Sequence, residues 1–237
     1  MDFKIHIPNT FTILNLLAGS LSLLLLFKGA YNESAVLIII ASLFDFLDGF
    51  SAKLLNAKSM IGKELDSLAD VISFGLVPAL FLYVILSKQP LVSEEPYTVI
   101  PYFSLLIGAF SALRLAKFNL DTRQTLSFLG MPTPANALFL ISITMVSLTG
   151  ETYIPFFSSL ASNLWFLLAL IPITCFLLVS EIPMFALKFT QGYKFGNNKL
   201  RYLFIIFTIL MTVLFHWTGI AISMIVYILT SVVVIKK

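Results

Sequence analysis

The run Ala41-Ser-Leu-Phe-Asp-Phe-Leu-Asp-Gly-Phe50 lies inside an apolar stretch that extends over residues 34–54. Its aspartates, Asp45 and Asp48, are three positions apart, which places both carboxylates on one face of a helix. A charged group inside a membrane span costs at least about 2.5–3.5 kcal/mol on insertion scales, so such groups are rare and usually functional. The run therefore predicts a membrane helix that carries part of a functional site.

The next apolar stretch begins with a second pair of carboxylates. Asp66 and Asp70 are four positions apart in Lys63-Glu-Leu-Asp-Ser-Leu-Ala-Asp-Val71, again on one helical face. Only a short connection separates the two stretches, so we expect antiparallel neighbours whose four carboxylates converge. Four carboxylates cannot all stay ionised in one place without a counter-charge, and oxygen ligands suit Mg²⁺, Mn²⁺ or Ca²⁺. The pattern predicts a site for one or two divalent cations.

The whole chain shares the apolar character of these stretches. Of its 237 residues 59% are hydrophobic and 11% are charged, whereas soluble domains carry about 25% charged residues. We predict an all-α integral membrane protein with about eight transmembrane helices. The expected spans are residues 10–29, 34–54, 66–87, 97–117, 134–150, 161–182, 200–216 and 218–235. A single long broken helix is the alternative for the last two.

The distribution of basic residues predicts how the chain is oriented. If the N-terminus is cytoplasmic, Lys28 and Lys88 lie outside, and the other 13 of the 15 lysines and arginines lie inside. Both termini and the four aspartates are then expected at the cytoplasmic face of a prokaryotic cell (inner) membrane. The first apolar stretch is too long for the core of a signal peptide, and no small-residue cleavage site follows it, so we expect it to be retained.

No linker divides the sequence, so one membrane domain is expected over residues 1–237. Within it we expect a catalytic core over about residues 1–182 and a C-terminal helical hairpin over about residues 200–235. Cys175 is the single cysteine, which leaves no disulfide or cysteine metal site within the chain. The net charge of +3 gives no indication of a nucleic-acid partner.

The carboxylates would also be compatible with two roles outside catalysis. They could form structural ion pairs with Lys53, Lys58 or Lys63, although two pairs at matched depth are harder to explain in that way. They could also belong to a divalent-cation transporter, which would more naturally carry its carboxylates on broken helices at the middle of the bilayer. The position near the helix ends favours a metal-dependent enzyme.

Small and polar residues accompany the aspartates. Gly49 and Ala52 share the face of Asp45 and Asp48, where they either leave room for a substrate or allow close helix packing. The first span carries Asn9, Thr12 and Asn15 at intervals of three residues. These side chains either bind a cytidine or ribose group, or form hydrogen bonds between helices.

The complete run Asp45-x2-Asp48-Gly49-x2-Ala52-Lys53-x8-Gly62-x3-Asp66-x3-Asp70 resembles the signature of the CDP-alcohol phosphotransferases. Seven of the eight fixed positions agree; the exception is Lys53, where the family usually has arginine. The resemblance implies that the four aspartates hold one or two divalent metals and that Asp70 is the general base. It also implies that residues of the motif admit the CDP-lipid, namely Gly49, Ala52, Lys53 and Gly62.

The flanking sequence is similar to the phosphatidylserine synthase branch of that family. The similar stretches are Pro8-Asn9-x2-Thr12-x2-Asn15-x3-Gly19, Gly62 to Gly75, Arg114-Leu-Ala-Lys-Phe-Asn119 and Gly130-Met-Pro-Thr-Pro134-Ala135. This branch transfers the phosphatidyl group of CDP-diacylglycerol to L-serine, and CMP leaves. The resemblance also implies a homodimer.

The serine carboxylate or a phosphate requires a cationic partner, because an unpaired charge is costly at a buried site. Candidates cluster after the fourth span: Arg114, Lys117, Asn119 and Arg123. Alternatively, the basic residues among them are present only because lysine and arginine are enriched at the cytoplasmic ends of membrane spans. Sister enzymes that use glycerol 3-phosphate, phosphatidylglycerol or inositol phosphate remain alternatives, as does an ether-linked lipid donor.

Overall fold

The computed structural model describes residues 3–57, 59–121, 128–184 and 195–234, and nearly all of them are helical. This confirms the predicted all-α class. The helices are α1 Phe3–Phe27, α2 Tyr31–Leu54, α3 Met60–Asp70, α4 Val77–Ser87, α5 Leu105–Leu120, α6 Thr133–Thr149, α7 Pro155–Ala161, α8 Leu164–Val179 and α9 Phe195–Val234. Short 3₁₀ segments, Pro90–Ser93 and Tyr97–Ser104, precede α5.

Within the described residues, five helical segments are long and apolar enough to cross a membrane. The number rises to six if α7 and α8, which meet at an angle of 74°, form one broken span. Helix α6 is apolar but has only 17 residues. The protein is therefore an integral membrane protein with five or six helices that meet this criterion. The qualifying segments are His6–Phe27, Tyr31–Leu54, Met60–Ser87, Tyr97–Leu120 and Asn198–Val232.

Helix α9 reverses direction in its middle. His216 has φ 48° and ψ −123°, which interrupts the helix. The main chain of Gly219 lies against that of Met211, and the rings of Phe204 and Tyr227 are 5.9 Å apart. Residues so far apart along a straight helix could not touch, because each residue advances it by about 1.5 Å. The two halves of α9 therefore pack against each other in an antiparallel arrangement.

Helices α3 and α4 form one rod that is interrupted by a π-helical turn, Val71–Leu76. Small residues surround this wide turn. Gly19 of α1 lies against Ser73, and a Cβ atom on Gly75 would lie 3.0 Å from the Cβ of Ser111 on α5. The hydroxyl of Ser73 also donates to the carbonyl of Asn15, at 3.1 Å. Such turns recur at functional sites, and this one immediately follows Asp70.

The described connections of the bundle gather at two opposite ends. At the far end the Lys88 ammonium donates to the Tyr31 hydroxyl, at 2.9 Å. There the Glu151 carboxylate also accepts from the backbone N–H of Thr218, at 3.0 Å, and so caps the second half of α9. The other end carries the aspartates, and we call it the site end.

A small antiparallel sheet lies at the site end. Strand β1, Phe128–Leu129, pairs with β2, Pro183–Met184. Gly130 follows with φ +75° and fits against the carbonyls at the end of α8, where a Cβ atom would lie 2.6 Å from the oxygen of Leu178. The Met131 N–H donates to the Leu177 carbonyl, at 2.8 Å. These contacts hold the start of α6 against the end of α8.

Helix α6 lies at the centre of the bundle. Its side chains contribute to both apolar clusters of the core, with Leu140 and Ile143 in one and Ala137 and Ile141 in the other. A helix buried on all sides has few exposed positions for polar residues. The polar residues at its start, Thr133 and Asn136, are accordingly fully buried.

Candidate active site

Three of the four predicted aspartates meet where α2 ends and α3 begins. Asp45, Asp48 and Asp66 each offer a carboxylate oxygen, and these oxygens lie within 4.8 Å of one another. Helices α2 and α3 both pack against α1, and this arrangement brings Asp66 close to Asp45 and Asp48. The three carboxylates form a compact group of oxygen ligands, which we call the aspartate triad.

The surroundings of the triad are suited to a cation. The Thr12 hydroxyl donates to Asp48 Oδ2, at 2.8 Å, which orients that carboxylate. The Oδ1 atom of Asp66 is buried and has no hydrogen-bond partner among the described residues. A buried carboxylate oxygen without a partner is costly, and a bound cation would satisfy it. Hard oxygen ligands of this kind fit Mg²⁺, Mn²⁺ or Ca²⁺.

Structural ion pairs between the aspartates and the nearby lysines receive no support at Lys63. Its ammonium donates to the backbone carbonyl of Asn119, at 2.7 Å. Lys53 is exposed at the end of α2. Lys58 lies outside the described residues.

Asp70 lies at the junction between α3 and the π-helical turn, and it is not one of the three aspartates of the triad. It is 6% exposed and accepts two hydrogen bonds from neutral side chains. Asn15 donates from Nδ2 to Oδ1, at 3.2 Å, and Thr133 donates from Oγ1 to Oδ2, at 3.4 Å. Arg114 in turn donates from Nη1 to Thr133 Oγ1, at 3.5 Å. A chain of polar contacts thus leads from Asp70 through Thr133 to Arg114.

A cleft of about 290 Å³ opens beside the triad. Gly62 and Asn9 are in close contact there, since a Cβ atom on Gly62 would lie 2.8 Å from Asn9 Oδ1. A Cβ atom on Gly49 would meet nothing within 4 Å, so that position faces open space. The cleft is lined by Pro8, Asn9, Thr12, Asp48, Gly49, Ala52, Ala57, Ser59, Gly62, Lys63 and Asp66.

The predicted polar face of α1 therefore lies at the site. Asn9 lines the cleft, Thr12 contacts Asp48 and Asn15 contacts Asp70. Of the predicted CDP-lipid residues in the motif, Gly49, Ala52 and Gly62 line the cleft, whereas Lys53 is not among its lining residues.

A second cavity, also of about 290 Å³, lies beside Arg114 at the site end. Two of the predicted acceptor residues, Arg114 and Lys117, line it together with residues at the ends of α5 and α8. Asn119 instead donates from Nδ2 to the Ser67 hydroxyl, at 2.9 Å, which ties α5 to α3. Arg123 lies outside the described residues.

Two residues of the site were not singled out from the sequence. Lys63 lines the cleft, and Thr133 links Asp70 to Arg114. Lys63 directly follows Gly62 of the motif, and this position was the one indication in the sequence that Lys63 belongs to the site. Thr133 lies in the stretch from Gly130 to Ala135, but nothing in its spacing shows that it reaches a residue 63 positions earlier.

Most of the chain is similar to one known protein family. The family model described as CDP-alcohol phosphatidyltransferase matches residues 5–176. The chain belongs to this family. The matched region includes all four aspartates of the site. It also includes the residues of α1 to α5 that line the two cavities, and most of α8, but it excludes α9.

Curated relatives carry names that include serine. The CDP-diacylglycerol–serine O-phosphatidyltransferase of Mycobacterium bovis is 35% identical over 187 residues, which cover 75% of this chain and 60% of that protein. The Bacillus subtilis protein of the same name is 36% identical over 145 residues, which cover 59% of this chain and 75% of that protein. Archaetidylserine synthase of Methanothermobacter thermautotrophicus is 34% identical over 152 residues, which cover 62% of this chain and 59% of that protein. The match thus spans about 60% of the length of the mycobacterial relative.

Proposed function

We propose that this protein transfers the phosphatidyl group of CDP-diacylglycerol to L-serine, producing phosphatidylserine and CMP. The observation that supports this most directly is the set of polar contacts that Asp70 makes in the interior of the bundle. Asn15, on the same face of α1 as the Thr12 that contacts Asp48, donates to one oxygen of Asp70. Thr133 donates to the other oxygen and links it to Arg114, which lines the second cavity. A buried carboxylate with these neighbours is suited to act as a general base.

The cleft beside the triad is the proposed binding site for the CDP-lipid. Gly49, Ala52 and Gly62 present little side-chain bulk there, and Asn9 supplies an amide for the cytidine or ribose. Lys63 adds a cation to the same cleft, and Lys53 remains a candidate for diphosphate binding. The apolar outer faces of the helices leave room for the acyl chains to stay in the bilayer.

Asp45, Asp48 and Asp66 would hold one or two divalent cations, Mg²⁺ or Mn²⁺ (or Ca²⁺), with Asp70 as the fourth ligand. A bound cation of this kind would neutralise the diphosphate and the charge that develops on the leaving CMP. Thr12 holds Asp48 in place through its hydrogen bond. Phosphoryl transfer depends mainly on such positioning and charge neutralisation.

Asp70 would accept the proton of the serine hydroxyl as that oxygen attacks the β-phosphorus. Its two neutral donors, Asn15 and Thr133, fix the orientation of the carboxylate. Because neither donor carries a charge, the carboxylate keeps its ability to take up a proton. Arg114 and Lys117 would hold the carboxylate of the serine, with Asn119 and Arg123 as further candidates.

The proposal extends to the organisation of the whole chain. We propose one membrane domain over residues 1–237, with a catalytic core over about residues 1–182 and a C-terminal hairpin over about residues 200–235. We also propose a homodimer in a prokaryotic cell membrane, with both termini and the active site cytoplasmic. Eight crossings are supported by the reversal of α9 at His216, where α9 supplies two antiparallel halves.

The test is a transfer assay with detergent-purified protein, CDP-diacylglycerol, labelled L-serine and Mn²⁺ or Mg²⁺. We expect labelled lipid and CMP in equal amounts, and loss of both on chelation. A parallel reaction with ether-linked donor identifies the lipid. CMP release with glycerol 3-phosphate but not with serine would contradict the proposed acceptor. Divalent-cation flux into liposomes without any CMP would contradict the enzyme itself and favour a transporter.

A further inference from the structure

The second cavity is lined by charged residues of both signs. Its cations are Arg114 and Lys117, and its carboxylates are Asp121 and Glu181. The proposed function so far uses only the cations. Carboxylates in the wall of a pocket repel an acceptor that bears a phosphate, whereas a wall with both signs complements a zwitterion. The two carboxylates therefore bear on which acceptor the cavity admits.

Both carboxylates lie where a helix ends. Helix α5 ends at Leu120, and Asp121 is the next residue. Helix α8 ends at Val179, and Glu181 follows two residues later. The C-terminal end of a helix carries a partial negative charge, which favours cations and disfavours anions. The helix dipoles therefore do not account for these carboxylates, and the same part of the cavity wall is suited to a positively charged group.

Backbone contacts hold this part of the wall in place. Helices α5 and α8 pack against each other. The Gly130 N–H donates to the carbonyl of Ile182, the residue after Glu181, at 2.9 Å. Leu129 of β1 lines the cavity beside this contact. The ends of the two helices are thus positioned by the fold itself, and no acceptor is needed to bring them together.

Arg114 forms the most buried charged part of the lining. It is 7% exposed, and its Nε atom has no hydrogen-bond partner among the described residues. Its guanidinium lies 5.2 Å from the centre of the Phe118 ring, which limits its orientation. Its Nη1 atom reaches Thr133, which in turn contacts Asp70. An anionic group held by Arg114 therefore lies beside the chain of contacts that leads to the general base.

The size and exposure of the cavity suit a small acceptor that enters from water. Its volume of about 290 Å³ is at the lower end of the range for small-molecule pockets, about 300–1,000 Å³. Lys117 and Glu181 are exposed, and Asp121 is half-buried. Charged groups of the lining are therefore accessible from solvent, whereas Arg114 lies deeper.

We propose that the adjoining ends of α5 and α8 bind the ammonium group of a zwitterionic acceptor, with Asp121 and Glu181 as the residues that recognise it. The inference rests on the proposed function and adds two residues that determine its specificity. Arg114 holds the carboxylate of the acceptor on the buried side. Asp121 and Glu181 hold the ammonium on the outer side. Each charged group of serine then faces a partner of opposite sign.

The test measures the preference for serine over 3-hydroxypropionate, which is serine without its amino group. Asp121→Asn and Glu181→Gln keep the size of each side chain and remove its charge. We expect each single variant to lower the ratio of the two kcat/KM values about 2- to 5-fold, and the double variant to lower it about tenfold or more. The KM for CDP-diacylglycerol should stay within about twofold.

Three controls separate recognition of the ammonium from other effects. Glu33→Gln removes an exposed carboxylate in the first turn of α2, at the far end, and should leave the ratio within about twofold. Asp121→Glu keeps the charge and should retain most of the preference. The ratio of serine to ethanolamine transfer should stay within about threefold in the double variant, because both acceptors carry an ammonium group.

Two results would overturn the inference, and they are distinguishable. An unchanged preference for serine over 3-hydroxypropionate in the double variant, with wild-type serine transfer intact, refutes the ammonium site and leaves the proposed function in place. If the double variant is too unstable to assay, an unchanged preference in Glu181→Gln, at an exposed position, has the same meaning. Wild-type protein that uses another alcohol and never serine would refute the proposed function and this inference together.

Discussion

The aspartate triad and Asp70 come from one sequence motif, yet the structure gives them different surroundings. Asp45, Asp48 and Asp66 crowd their oxygens within 4.8 Å of one another, and one oxygen of Asp66 has no partner among the described residues. Asp70 is held by Asn15 and Thr133 and lies on the side of Arg114. The surroundings of the triad therefore suit cation binding, whereas those of Asp70 suit proton transfer. The sequence spacing of the four aspartates does not show this difference.

The largest expected effects come from removing a carboxylate on each side of this comparison. Asp66→Asn removes a ligand, so we expect both transfer and cation binding to be lost, with activity falling by about 10³-fold or more. Asp70→Asn should lower activity by about 10²–10⁴-fold, the range for a general base, and should weaken cation binding less than Asp66→Asn does. Transfer assays and calorimetric Mn²⁺ titrations measure the two properties. Equal loss of cation binding in both variants would remove the distinction.

The next effect concerns Arg114. Arg114→Lys keeps the charge but removes Nε and the planar pair of donors, so we expect the KM for serine to rise about 10- to 100-fold. The KM for CDP-diacylglycerol should change little. Lys28→Arg, at an exposed position away from the site end, is the control and should change the serine KM by less than about threefold. A rise in the KM for the lipid alone would place Arg114 on the donor side.

Thr133→Val tests the link between Asp70 and Arg114. The substitution keeps the shape of the side chain and removes one hydrogen bond to the carboxylate, a contribution of about 0.5–1.5 kcal/mol. We expect kcat to fall about 2- to 10-fold with cation binding unchanged. Rescue by Thr133→Ser would identify the hydroxyl as the active group. No change in either constant would show that Thr133 only fills space.

Gly62→Ala tests the donor cleft. The added Cβ would lie 2.8 Å from Asn9 Oδ1 and 2.9 Å from Ser59 Oγ, so one of these side chains must move. We expect a rise of about 2- to 10-fold in the KM for CDP-diacylglycerol and an unchanged KM for serine. Gly108→Ala is the control, because its Cβ would lie 3.7 Å from the nearest atom, an ordinary contact, and Gly108 lines neither cavity. Similar effects in both variants would contradict the close approach at Gly62.

The smallest expected effect is that of Lys53→Arg, which restores the residue usual in the family signature. Lys53 is exposed and is not among the residues that line the cleft. We expect the KM for CDP-diacylglycerol to change by less than about threefold, as for exposed charges in general. A gain of tenfold would instead show that this position contacts the diphosphate when the lipid is bound.

Local sequence patterns were sufficient for much of this protein. The apolar stretches predict membrane helices because lipid cannot satisfy backbone groups. The spacing of Asp45, Asp48 and Asp66 predicts their meeting because helix geometry and a short connection leave few other arrangements. Asn9, Thr12 and Asn15 share one face of α1 for the same geometrical reason, and all three contribute to the site.

Other features depend on contacts between distant segments, which no local pattern encodes. The reversal of α9 at His216 depends on Gly219 and on the packing of its two halves. The contact of Thr133 with Asp70, and the burial of Asn136, depend on α6 lying at the centre of the bundle. The sequence by itself determined the membrane class, the aspartates and the family. Only the tertiary structure distinguished the neighbours of Asp70 from those of the triad, because the partners of Asp70 come from α1 and α6, which are distant in the sequence.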